Sequence, residues 1–251
     1  MAYRYDEDLD FIQHLKSSDL NVLVETLIYD KDGEKRYSEE LSESDNYKQY
    51  HPEHIKYWKD VIEELQRFGG NSFVNLLRLG EGVLYKEILN DVCDKLKVNY
   101  NENSSVERIE TNLLMKILED ALEKMSDEER KELTKSIGLK NTQGFSAQAM
   151  TGMFQAIFRA GGFKSYQLTV IIVNTILKAL IGRGLSLGAN AALTRTMAIL
   201  TGPIGWVITG LWTAIDIAGP AYRVTIPAVI EVVALRQKYL YADKVDDINF
   251  S

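Results

Sequence analysis

The sequence predicts an all-α protein, with N-terminal amphipathic helices followed by an up-and-down apolar helical bundle. Three observations carry this reading. Apolar residues recur at i, i+3 and i+4 through most of the chain, and no convincing run alternates with period two. Residues 1–140 hold 20 basic and 31 acidic side chains while 141–251 hold 9 and 5, so a half of charge −11 precedes one of +4. Eleven of the seventeen glycines fall between Gly144 and Gly219, where they punctuate an apolar stretch. The chain therefore divides into an acidic amphipathic helical region, 1–140, and a Gly-punctuated apolar helical bundle, 141–251. At 251 residues it is long enough to bury a core without disulfides or metals.

Asp6 to Leu15 and Ser18 to Ile28 read as two short amphipathic helices, the second stopped by the Asp30-Lys31-Asp32-Gly33 turn. Aligned to an EF-hand loop, Asp30, Asp32, Gly33 and Glu39 take positions 3, 5, 6 and 12. Position 1 then falls on Ile28, where calcium needs a carboxylate, so a polar turn is the better reading. Pro52 suits the first turn of a helix, after which Ile55, Trp58, Val61, Ile62, Leu65 and Phe68 line one face up to a break at Gly69-Gly70. Phe73 to Leu79 forms a short helix. Leu84, Tyr85, Ile88, Leu89, Val92, Cys93 and Leu96 form the stripe of the next, which makes Cys93 a buried structural thiol.

The strongest periodicity runs from Val106 to Met125, with Ile109, Leu113, Leu114, Ile117, Leu118, Ala121 and Leu122 on one face and a capping box of Ser104 and Glu107 in front. A second box, Ser126 and Glu129, opens a charged helix that ends at Ile137-Gly138. Beyond Asn141, breaks at Gly161-Gly162, Gly182-Gly184, Gly202-Pro203 and Gly219-Pro220 divide the chain into five helical segments, each roughly 25–30 Å long at ~1.5 Å per residue. Short connections make neighbours antiparallel. Tyr166 to Ile181 is apolar on every side save Lys178, as is Thr196 to Ile215, so both are expected at the buried centre.

Residues 196–215 give twenty uncharged positions, the length that crosses hydrocarbon. Gly202-Pro203 and Gly205 inside the run argue against one straight helix and for a buried helical hairpin, with a conditional or re-entrant membrane segment as the alternative. Gly184 and Gly188 permit close helix contact in either setting. Asp216 follows the run directly, and must reach water, pair with Arg195 or Arg223, or titrate upward. The candidate membrane or partner segment is thus Arg195, Gly202, Pro203, Trp206, Trp212, Asp216 and Arg223.

No catalytic, cofactor or metal motif emerges. His51 and His54 in HPEH lack zincin spacing and a third ligand. Gly80-Glu81-Gly82 has no third glycine, and GGFKS at 161–165 lacks the ending of a phosphate loop. Carboxylates abound before residue 140, but no pair is read on an otherwise apolar face. The single cysteine suits a reducing compartment, and the acidic N-terminus is unlike a secretory signal, so a cytoplasmic protein is expected, at the inner face of the membrane in the docking reading. The basic residues after 144 are spread rather than clustered, which speaks against nucleic acid but admits an anionic surface or an acidic partner.

Taken together, DLDFIQH at 8–14, HPE at 51–53, ELQRFGGNS at 64–72, LYKEILNDV at 84–92 and YRVTIPAV at 222–229 resemble, in order, the YaaW-like family of uncharacterised bacterial proteins. Proteins similar to these are grouped with the ubiquinol–cytochrome c chaperone family, whose mitochondrial members assist cytochrome b assembly. That broader likeness concerns mainly Trp58 to Gly138. The resemblance implies no catalytic residues. It implies a non-enzymatic helical protein that acts by binding, as a chaperone-like or assembly factor for a membrane-associated protein partner. The alternative is a protein that docks or inserts its own C-terminal apolar hairpin into a membrane.

Overall fold

The computed structural model describes residues 3–72, 82–136, 146–182, 198–207, 210, 219 and 221–245. Among them the regular structure is helical, and Tyr29 and Lys35 make one isolated β-bridge. The N-terminal segment is wound more tightly than expected: Glu7–His14 is a 3-10 helix capped by the Asp6 side chain. A second 3-10 turn, Ser17–Leu20, runs straight into α1, Asn21–Ile28. Three-residue periodicity still places Leu9 and Ile12 on one line, and both are fully buried.

Gly33 does not stop α1. The helix ends at extended Tyr29, and Gly33, at φ +85°, shapes the tight turn that follows. Asp30 Oδ1 accepts from the backbone N–H of Asp32 and of Glu34, 2.9 Å each, so its carboxylate organises the turn. Pro52 likewise lies in a turn, between α2 (Asp45–Tyr50) and the 3-10 helix His54–Tyr57, and not in a first helical turn. A tertiary contact accompanies the shift: Ile55 N–H donates to Ser17 Oγ at 3.1 Å, while the buried rings of His54 and Tyr57 meet edge to face, 5.6 Å apart.

α3 spans Trp58–Ser72, so Gly69 and Gly70 are helical residues and no break occurs there. A Cβ on Gly69 would stand 2.5 Å from Ile88 Cγ1. The glycine is present because α4, Tyr85–Lys95, packs too closely for any side chain. The expected helix at Phe73 to Leu79 lies outside the described residues. α5, Val106–Lys124, buries its whole predicted stripe, but its N-cap is Ser105 and no side chain caps it, so the Ser104–Glu107 box is not formed. The second box is: Ser126 N–H donates to Glu129 Oε2 at 2.7 Å and Glu129 N–H to Ser126 Oγ at 3.2 Å, opening α6, Asp127–Ser136.

α7, Ala147–Ala160, and α8, Gly162–Ile181, abut with Gly161 alone between them, at φ +64° and ψ −152°. Gly182, at φ +69°, caps α8 in the left-handed conformation. α8 is buried on nearly every side from Leu168 to Leu177, with Lys178 exposed, as its composition predicts. Gly202-Pro203 does not break the chain: residues 198–207 form one helix, α9. Pro203 sits on its buried side with Leu200, Ile204 and Val207, so packing offsets a lost ladder bond that costs about 3 kcal/mol in an unsupported helix.

α10, Tyr222–Val245, contains Pro227 and is the organising element. It lies along α8 and also touches α1, α3, α4 and the 3-10 helix at 7–14. Because it meets neighbours on several sides, an almost unbroken run from Val224 to Leu235 is buried. The change of composition near 140 falls within 137–145, outside the described residues. Buried residues from both sides of it join one hydrophobic core, from Leu9 to Leu235.

Candidate functional site

Two features of the frame are not accounted for by apolar packing. The first is a buried ionic node. Glu110 lies on the apolar stripe of α5, one residue past Ile109 and four past Val106, and is 1% exposed. Arg236 of α10 donates from Nε to both of its carboxylate oxygens, at 3.0 and 3.1 Å, and from Nη2 to the Asp8 carbonyl at 2.8 Å. The Tyr85 hydroxyl of α4 donates to Glu110 Oε1 at 2.7 Å, while the Tyr85 backbone N–H donates to Asp6 Oδ2 at 2.6 Å. The guanidinium also lies over the Phe11 ring, 4.6 Å from its centroid.

Burial pushes the Glu110 carboxyl above its ordinary range, opposed by the charge of Arg236 and the hydrogen bond from Tyr85. The Arg236 guanidinium is held charged by that carboxylate despite its own desolvation. The node therefore ties α4, α5, α10 and the N-terminal segment into one unit. Its hydrogen bonds join groups that are distant in sequence, which fixes the relative placement of those elements.

Beside it, Gln66 of α3 exchanges two hydrogen bonds with the Arg4 backbone, at 2.8 and 3.1 Å. Arg4 Nη1 donates to the Gly82 carbonyl at 3.1 Å. The N-terminal strap is thus held by paired polar contacts.

Sequence reasoning missed the node because it found no carboxylate on an apolar face. Glu110 is such a carboxylate, flanked at helical spacing by Val106, Leu113, Leu114 and Ile117, and that pattern was the available signal. A second buried acid, Glu231 of α10, was missed in the same way, within the run Val224 to Leu235.

The second feature is α9. Its inner face is buried, yet Trp206 is 72% exposed, beside the exposed Thr201 and Gly202. Of the candidate segment, Gly202, Pro203 and Trp206 are thereby brought onto one helix. Arg223 is an exposed residue in the first turn of α10. Arg195, Trp212 and Asp216 lie outside the described residues, as do Gly184 and Gly188. No helix among the described residues is long and apolar enough to cross a membrane.

Cys93 is buried, and desolvation pushes its thiol up to about 12, so it is no nucleophile. His54 Nδ1 and the Tyr57 hydroxyl share a hydrogen bond in the core. Among the described residues no three His, Cys, Asp or Glu side chains gather as a metal site.

The fold and these two features describe an all-helical protein fixed by a buried ion pair, with Trp206 exposed on α9. The model of one family, ubiquinol-cytochrome C chaperone, matches residues 53–230, and a domain of unknown function, DUF3944, matches residues 3–37. A UPF0174 protein of Helicobacter pylori strain J99 is 55% identical over 244 residues, covering 97% of this chain and 96% of the relative. A second from that strain is 48% identical over 205 residues, 80% of this chain and 98% of the relative. UPF0174 protein YaaW of Escherichia coli strain K12 is 33% identical over 241 residues, 94% of this chain and 95% of its own. The chain belongs to the UPF0174 (YaaW) family, within the reach of the chaperone family model. No solved structure matches it significantly.

Proposed function

We propose that this protein is a non-enzymatic, chaperone-like or assembly factor that binds a membrane-associated protein partner through the segment containing α9. The observation that carries the reading is Trp206, an indole 72% exposed on a helix whose other side is built into the core. Exposed tryptophans anchored on rigid elements are favoured at protein interfaces, where burying the ring supplies a large apolar area at little entropic cost. The chaperone family match, residues 53–230, includes α9 and supports the same reading. Gly202, Pro203 and Trp206 would form the contact, with Arg195, Trp212, Asp216 and Arg223 as its continuation. The chain would work in the cytoplasm, beside the inner face of the membrane.

The test is photocrosslinking in cells, with a benzophenone amino acid at position 206 and, as control, at position 37, where Tyr37 is fully exposed on the N-terminal region. A discrete protein adduct from the membrane fraction at 206 alone is the expected result. Lipid adducts at 206 would replace this reading with direct membrane docking, and equal, diffuse labelling at both positions would overturn both.

A further inference from the structure

Glu231 stands near the middle of α10, between Ile230 and Val232, and is 0% exposed. Among the described residues neither of its carboxyl oxygens has a hydrogen-bond partner. This distinguishes it from Glu110, whose oxygens accept from Arg236 and Tyr85. An ionised carboxylate with neither water nor a donor is far costlier than the neutral acid.

The charged groups on the elements packed against α10 offer no relief. On α8, Lys164 and Lys178 are exposed, and on α1 so is Glu25. On α3, Glu64 is engaged by Arg67. On α4, Asp91 accepts from the Tyr222 hydroxyl, and Lys86, Glu87, Asp94 and Lys95 reach solvent. On the segment 7–14, Glu7, Asp8 and Asp10 are acids, and the one base, His14, is exposed and stacked on the Tyr239 ring. Arg236 is committed to Glu110, and Lys238, two turns beyond Glu231 on the same side of α10, is committed to Asp19 at 2.5 Å. Among the described residues only Asp19 acts on Glu231 electrostatically, and its negative charge opposes ionisation.

We infer that Glu231 is a proton-binding site built into the buried side of α10, holding that helix packed as the neutral acid and loosening it when the proton leaves. Burial, assisted by Asp19, pushes the carboxyl from its ordinary 4.5 up to about 8. Between those values the folded state holds a proton that the unfolded chain has released. Stability from this group is therefore complete below about 4.5, declines as pH rises, and is gone above about 8. The inference does not depend on the proposed partner binding.

The experiment compares urea unfolding of the full chain and of Glu231→Gln from pH 5 to pH 9. The amide keeps the neutral shape and cannot ionise. The unfolding constant of the wild type should rise relative to the variant by on the order of a thousandfold across that range. Amide protection in Val224 to Leu235, corrected for intrinsic exchange, should fall above pH 8 in the wild type alone. Parallel pH curves for the two proteins would overturn the inference. Should Glu231→Gln fail to fold, infrared titration of the wild type decides: a buried carboxylic-acid carbonyl band persisting at pH 7 and lost with a midpoint near 8 supports it, and absence of that band refutes it.

Discussion

Arg236 and Glu110 lie 126 positions apart in sequence, and their side chains meet at 3.0 Å inside the core. The contact joins the last helix to the middle of the chain, and Tyr85 and Asp8 complete it. Removing one partner leaves the other charge buried without its counter-ion. Glu110→Ala or Arg236→Ala should therefore cost about 3–5 kcal/mol. Glu110→Leu combined with Arg236→Met should recover much of that loss. Urea unfolding of the four proteins checks this, and an additive double variant would show that the pair is not coupled.

Gly69 owes its place to Ile88. Gly69→Ala should destabilise by about 1–3 kcal/mol through overpacking, although alanine is the better helix former by about 1 kcal/mol. In the Ile88→Ala background the crowding atoms are gone. There the same substitution should be neutral or stabilising, as a double-variant cycle in thermal unfolding will reveal.

His54 titrates in the opposite sense to Glu231. Burial, with His51 nearby, lowers its pKa below the ordinary 6.5. The unfolded chain then binds the proton first, so stability is intact above about 6.5 and falls as pH drops through the folded value. His54→Gln should lessen this acid-side loss. Thermal midpoints between pH 7 and 5 measure it, and an unchanged slope in the variant would contradict the assignment.

Trp206 contributes contact area to no core, so Trp206→Ala should change stability by less than about 0.5 kcal/mol. With the benzophenone residue moved to position 202, exposed on the same helix, the same substitution should abolish the partner adduct. A large drop in unfolding midpoint would mean that the indole serves the fold instead.

How much of this was legible in sequence depended on whether the deciding force was local. The buried faces of α5 and α8 were readable because burial selects apolar residues at helical spacing, and the exposure of Lys178 was readable from its charge. Breaks at Gly161 and Gly182 were readable because both adopt positive φ, where glycine is favoured. Gly69, Gly70 and Gly202 were misread as breaks because a glycine costs a helix only about 1 kcal/mol, which the packing of the rest of α3 and α9 outweighs, and at Gly69 the close approach of Ile88 requires it. Glu110 and Glu231 escaped notice although each interrupts an apolar pattern, since the partner of one is distant in sequence and the other has none among the described residues. In the candidate segment, Gly202, Pro203 and Trp206 do share a helix, but which of them faces water was decided by α9's packing.

The junction at Gly161 has a mechanical meaning. Its φ of +64° and ψ of −152° lie where essentially only glycine rests, and the hydroxyl of Tyr241 on α10 receives the next N–H, from Gly162, at 2.9 Å. With a single residue between them, α7 and α8 have no slack. They behave as the two arms of a crank pinned at its elbow by α10, so a load on the exposed side of α7 is delivered as torque to α8 and not absorbed by a linker.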